Sequence, residues 1–156
     1  MLLTCNVEKE KHEDVWFLDS GCGNHMTGNI AIFSNLDENV KFDVTMGIKN
    51  KVSIMGKARV YILTRKGENN FVPDIYYVPG MKCNLLSIGQ LVNKGYNVSF
   101  KNDVCTIMDI PPSNTVIAEV KMKKNRMFPL KLRTILKEGG VLVAVTQEVF
   151  QEEVKE

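Results

Sequence analysis

Asp19-Ser20-Gly21 follows directly on the apolar run Val15-Trp16-Phe17-Leu18. A carboxylate at the end of a strand that reads as buried is costly to place there unless its charge is met by donors. Gly21 lets the chain turn sharply and brings backbone N–H groups near the acid, and the Ser20 hydroxyl can hold it by a hydrogen bond. Asp, Ser and Gly are also ordinary turn residues, so the tripeptide gains meaning only from its surroundings. His25 lies four residues beyond Gly21, in the turn-rich piece Cys22-Gly23-Asn24-His25-Met26-Thr27-Gly28. It could serve as a base, a ligand or a structural hydrogen bonder, and with no second histidine nearby the structural role is favoured. Cys5, Cys22, Cys83 and Cys105 form no Cys-x-x-Cys, and only His12 and His25 could join them. The spacing therefore predicts no metal site, no disulfide framework and a reducing compartment.

The elements that would position the acid alternate with period two. Phe42, Val44 and Met46, then Val52, Ile54, Ala58, Val60 and Ile62, predict one long β-hairpin over 41–63 with its tip at Gly47-Ile48-Lys49-Asn50 and Gly56 as a bulge or bend. A short helical turn is expected within 29–36. Phe71-Val72 and Ile75–Val78 read as two strands interrupted by Pro73-Asp74 and stopped by Pro79-Gly80. Leu85–Ile88 reads as a buried strand, and Gly89–Lys94 as a short helix closed by Gly95. Strands follow at 96–100, 104–108, 115–122 and 127–130. Val141, Val145 and Val149 recur every four residues and predict a short, loosely held C-terminal helix over 141–156. Many short strands with few helices indicate an all-β fold, a small β-barrel. The expected division is a flexible lead-in at 1–13, a barrel domain at 14–132 and a separate tail at 133–156.

The chain has 156 residues and a net charge of +2, enough for one domain with a core and too balanced to demand a nucleic-acid partner. Lys121, Lys123, Lys124, Arg126, Lys131 and Arg133 cluster late and read as a solvated face. No apolar run is long enough to span a bilayer, so no membrane role is expected.

Two stretches carry a resemblance: residues 16–28, Trp16-Phe17-Leu18-Asp19-Ser20-Gly21 through Gly28, and residues 77–91, Tyr77-Val78-Pro79-Gly80 through Asn84-Leu85-Leu86-Ser87-Ile88-Gly89-Gln90-Leu91. Gly95-Tyr96-Asn97-Val98 and Met127-Phe128-Pro129-Leu130 continue it. The sequence resembles the protease region of Copia-type retrotransposon Gag-Pol polyproteins of plants. The resemblance implies a retropepsin-like β-barrel hydrolysing peptide bonds of its parent polyprotein as a homodimer with one catalytic Asp19 per subunit. Ser20 and Gly21 would complete the catalytic loop. Gly47, Ile48, Lys49 and Asn50 would form the substrate-covering flap tip, and Ile88-Gly89 would pack beside the loop. No cofactor or metal is implied. Residues 133–156 would begin the segment leading towards integrase. The expected location is the cytoplasm, with virus-like particles or the nucleus as alternatives. The competing reading is a catalytically inactive β-barrel remnant with a structural or binding role.

Overall fold

A computed structural model describes residues 15–46, 48, 50–63, 67–138 and 141–144. The apolar run becomes strand β1 (Val15–Asp19), buried along its whole length. It lies inside a sheet, between the strands Phe128–Lys131 and Asn84–Ser87, and is apolar on both faces, as strands flanked by a parallel neighbour tend to be. Trp16 and Leu18 point into one core with Ile32, Val60, Ile75 and Leu86. Val15 and Phe17 point into a second, with Cys22, Cys83, Leu85 and Met127.

Strand β2 (His25–Thr27) follows the Asp19 loop, then a single 3-10 turn (Ile30–Ile32) whose Asn29 side chain accepts from the Ala31 N–H. Next come β3 (Phe42–Met46), β4 (Asn50–Ile54), β5 (Lys57–Leu63), β6 (Asn69–Tyr77) and β7 (Asn84–Ser87). Helix α1 (Ile88–Asn93) starts directly where β7 ends. It stops at Gly95, whose φ of +108° is open to glycine at little cost. Strands β8 (Asn97–Lys101), β9 (Val104–Met108), β10 (Val116–Lys121), β11 (Phe128–Lys131), β12 (Arg133–Glu138) and β13 (Val141–Ala144) complete the order.

Eight strands form one sheet in the order β11-β1-β7-β2-β6-β5-β12-β13. Strands β8, β9 and β10 form a second sheet, whose Cys105, Ile107 and Val120 close the first core from the other side. The β8–β9 hairpin turns through Asn102 and Asp103, both at positive φ, which Asn and Asp tolerate best among residues with a Cβ. The architecture is all-β with one short helix, as expected, but the large sheet is not closed: β11 and β13 remain its edges.

Three expectations are corrected. The 41–63 stretch is not one hairpin: β3 pairs only with β4, while β5 leaves to join β6 and β12 in the large sheet. The break falls at Gly56, where an added Cβ would lie 2.7 Å from Leu36 Cγ, so the glycine serves close approach to Leu36. Pro73-Asp74 does not interrupt a strand. The two residues form a bulge inside β6, where pairing jumps from Ala58↔Ile75 to Val60↔Val72 and Asp74 takes φ +58°. A bulge tolerates the missing proline N–H.

The C-terminal helix is the third. Val141–Ala144 is a strand paired antiparallel with Ile135–Glu138, and β12 is part of the main sheet, with Thr134 and Ile135 only 3% exposed. β-Branched residues fit a pleated surface, and β12 presents an edge to pair with; both outweigh a four-residue stripe of valines. The proposed continuation of that helix over 145–156 lies outside the described residues. Ile135→Ala is accordingly expected to cost about 2–5 kcal/mol, measured by urea denaturation, although it lies beyond the barrel boundary read from the sequence.

Candidate active site

Asp19 is the last residue of β1 and is 4% exposed. Its Oδ1 accepts the Gly21 N–H at 2.8 Å. Gly21, rather than the Ser20 hydroxyl, therefore holds the carboxylate; Ser20 and Gly21 themselves are exposed. On one side β1 pairs antiparallel with β11 up to Leu18↔Phe128. On the other it pairs parallel with β7, setting Asp19 opposite Ser87. That register brings the two expected packing residues, Ile88 and Gly89, to the acid's end of the sheet at the start of α1.

A buried polar network surrounds this point. The Ser87 hydroxyl donates to the Cys22 carbonyl at 2.8 Å and accepts the Gln90 N–H at 3.0 Å, capping α1. The Ser87 N–H donates to His25 Nδ1 at 2.9 Å. Gln90 Oε1 accepts the His25 N–H at 2.9 Å, and Gln90 Nε2 donates to the Pro73 and Asp74 carbonyls at 3.4 and 3.1 Å. Three residues further back along β7, the Thr27 hydroxyl donates to Asn84 Oδ1 at 2.6 Å, and Asn84 Nδ2 donates to the Val15 carbonyl at 3.0 Å. The residues just after Asp19, the strand beside it and the helix that follows are thus bolted together.

The titratable groups are held in specific forms. Burial, followed by the adjacent Asp19 charge, pushes the Cys22 thiol up to about 12. Its Sγ faces the Asp19 carbonyl at 3.9 Å, so Cys22 stays a neutral thiol and offers no nucleophile. Burial lowers His25 to about 4, against an opposing pull from Asp74 and with a smaller contribution from Lys94. A neutral imidazole that accepts at Nδ1 carries its proton on Nε2. His25 therefore acts here as a buried hydrogen-bond acceptor for the Ser87 N–H. Cys105 is a free, buried core thiol raised to about 11 by burial. Cys83 is disulfide-bonded, contrary to the expectation of no bridges. No group of metal-binding side chains occurs among the described residues.

The expected flap residues are only partly visible. Gly47 and Lys49 lie outside the described residues; Ile48 is 85% exposed, and Asn50 is exposed at the start of β4. The hairpin's base packs on Met26 and Val78 through Val44, Val52 and Ile54, and Phe42 meets Tyr76 edge to face at 5.3 Å. A separate cavity of about 340 Å³ is lined by Asn35, Lys57, Arg59, Tyr61 and Asp74 among others and contains no residue of the Asp19 loop. Lys57 and Lys94 pair with Asp74 at 3.7 and 3.2 Å, and Arg59 stacks on Phe71 at 4.3 Å, so its charged groups already have partners.

The Pol polyprotein, beta-barrel domain family matches residues 16–96, just over half of the chain, including Asp19, His25, Ser87 and Gln90. The chain belongs to this family. A relative in Saccharomyces cerevisiae, named "Putative transposon Ty5-1 protein", is 31% identical over 87 residues, 56% of this chain and 56% of the relative. The chain spans a little over half the length of that curated relative. No solved structure matches the chain. The protein is thus a Pol-type β-barrel domain of retrotransposon kinship, which bears out the resemblance at that level.

Ser87, Gln90, Asn84 and Thr27 were not singled out from the sequence. One signal was present: Ser87-Ile88-Gly89-Gln90 has the S-x-x-Q spacing of a capping box. Only half of the box forms, because His25 takes the Ser87 N–H that the Gln90 side chain would otherwise accept.

The depressed His25 value sets a pH dependence. The imidazole binds its proton at about 4 in the folded Pol-type domain and near 6.5 when unfolded. Its contribution to stability is full above 6.5, falls as pH drops from 6.5 to about 4, and levels off below. The loss is roughly 2–4 kcal/mol. Urea denaturation from pH 7 to pH 4 should show this component in the parent and lack it in His25→Asn.

Proposed function

We propose that the chain is the retropepsin-like aspartic endopeptidase unit of a Copia-type retrotransposon polyprotein and hydrolyses peptide bonds of that polyprotein as a homodimer. The observation that carries the reading is Asp19 itself, a carboxylate 4% exposed at the end of a doubly buried strand, held by the Gly21 N–H. Burying a carboxylate there is costly, and a catalytic role would account for its being kept. The mechanism needs two carboxylates about 3 Å apart sharing one proton, since like charges that close do not both ionise. One acid takes a proton from water as it attacks the scissile carbonyl; the other donates to the carbonyl oxygen.

The other described aspartates are committed elsewhere. Asp74 is ion-paired with Lys57 and Lys94; Asp37, Asp43 and Asp109 hold Asn39 N–H, the Ser53 hydroxyl and Ile110 N–H. Asp103 sits in the β8–β9 turn. The second acid would therefore be Asp19 of a second copy across a two-fold axis.

Purified full-length chain, incubated with denatured casein and a peptide library at pH 3–8, tests this. Turnover is expected to be second order in protein at low concentration, sensitive to pepstatin, and reduced at least about a thousandfold by Asp19→Asn, which removes both acids at once. The alkaline limb of the pH dependence would belong to the carboxylate pair. Equal turnover by Asp19→Asn overturns the reading. A parent that is inert and sediments as a monomer favours the remnant.

A further inference from the structure

His25, Ser87 and Gln90 join β2, the β7–α1 junction and the β6 bulge beside the Asp19 loop. The Ser87 hydroxyl holds the Cys22 carbonyl, three residues past Asp19, while its N–H is held by His25 Nδ1. The Gln90 amide grips the His25 N–H with its oxygen and the β6 bulge, at Pro73 and Asp74, with its nitrogen. Ser87 is 0%, His25 1% and Gln90 8% exposed, so no water competes for these bonds at the imidazole or hydroxyl. Every bond depends on donor direction. His25 Nδ1 accepts only while it lacks a proton; a protonated Nδ1 would face the Ser87 N–H donor to donor.

We propose that His25, Ser87 and Gln90 form a positioning unit for the Asp19 loop that closes only while the His25 imidazole is neutral, so that protonation of His25 opens the site and sets its acid limit. The proposal rests on the protease reading of the same site. The unit acts through the main chain of Cys22 and Ser87 and touches no substrate. The charged groups facing the imidazole are Asp74, from β6, and Lys94, at the end of α1. Strand β7 brings only Asn84, Leu85, Leu86 and Ser87, none of them titratable in this range. Asp74 favours the proton and Lys94 opposes it. Because Asp74 is also ion-paired with Lys94 and Lys57, its pull on the proton is partly spent.

Two readouts test the unit on the full-length chain between pH 3 and 8. The first is the amide ¹H–¹⁵N shifts of Gly21, Cys22 and Ser87, which need no activity. The second is hydrolysis of denatured casein, resolved into kcat and KM. In the parent, the three amides should titrate together as pH falls towards 4, and the acid limb of kcat should coincide with them. His25→Asn supplies a non-titrating oxygen near the position of Nδ1. It should abolish the shared amide titration and move the acid limb down by at least about one pH unit. His25→Leu should fold but lower kcat about tenfold or more with KM within about twofold, and His25→Asn should recover most of that loss. Gln90→Glu keeps the acceptor for the His25 N–H and loses the donor to the bulge; it should fall between. The proposal is overturned if the amides of His25→Asn titrate as in the parent, or if an active His25→Leu keeps the parental kcat and acid limb. An inert parent with the shared amide titration intact would sink the protease reading and uphold the unit; an inert parent without that titration would sink both.

Discussion

The parallel pairing of β1 with β7, with Asp19 opposite Ser87, is the constraint from which the rest of the site follows. A parallel pair cannot be closed by a tight turn; it needs a long crossover. Here the intervening chain supplies β2 through β6, and β2 and β6 return to cover the far side of β7. A slip of one residue between β1 and β7 would turn the side chains of one strand to the opposite face. The register is secured because β1 is apolar on both faces: Trp16 and Leu18 fill one core while Val15 and Phe17 fill another. It is secured again by the Asn84 side chain, which reaches the Val15 carbonyl and so counts residues between the strands.

That register also explains why a carboxylate can lie at 4% exposure with no cation paired to it among the described residues. The chain turns at Gly21, whose N–H comes to Oδ1. The turn would be slack without the Ser87–Cys22 bond that fastens its far side. Polar burial elsewhere is less complete: the Trp16 indole N–H, buried in the larger core, finds no partner among the described residues. Leaving it so costs on the order of 1–3 kcal/mol, offset by the apolar area that the ring removes from water. Around the acid the Ser87, Gln90 and Asn84 side chains all find partners; inside the core a mismatch is tolerated for the sake of volume.

Legibility in the sequence followed the strength of the local signal. β1 was legible because an unbroken apolar run met a turn, and α1 because Gly95 closed it. The β8–β9 hairpin was legible through clean alternation around Asn102-Asp103. β2 was read as turn, because three residues, His25–Thr27, carry no period; their pairing with β6 and β7 makes them a strand. Pro73 misled, since a bulge is invisible without its partner strand. β12 gives little signal because Arg133–Glu138 has few apolar residues and gains burial by pairing with β5 and β13, and β13 is masked by the four-residue spacing of Val141, Val145 and Val149. At the site, Asp19-Ser20-Gly21 announced itself, whereas Gln90 did not: its partners lie 16, 17 and 65 residues away, and no spacing rule reaches so far.

A structural consequence follows from where the site's two kinds of support are placed. The apolar support of Asp19 comes from strands that belong to both cores, so a cavity made in either core is felt at the end of β1. The polar support comes from the opposite direction, through α1 and the β6 bulge. The bulge is the weak member. Asp74 takes a left-handed φ of +58°, and its strain is offset by the Gln90 amide on its carbonyl and two lysines on its carboxylate. Both lysine contacts are exposed enough to weaken with salt, while the amide bond is not. The bulge is therefore tied to His25 through a single side chain, Gln90, rather than through the visible charges around it. The charged residues of this region hold the outside of the bulge; the neutral ones hold the loop.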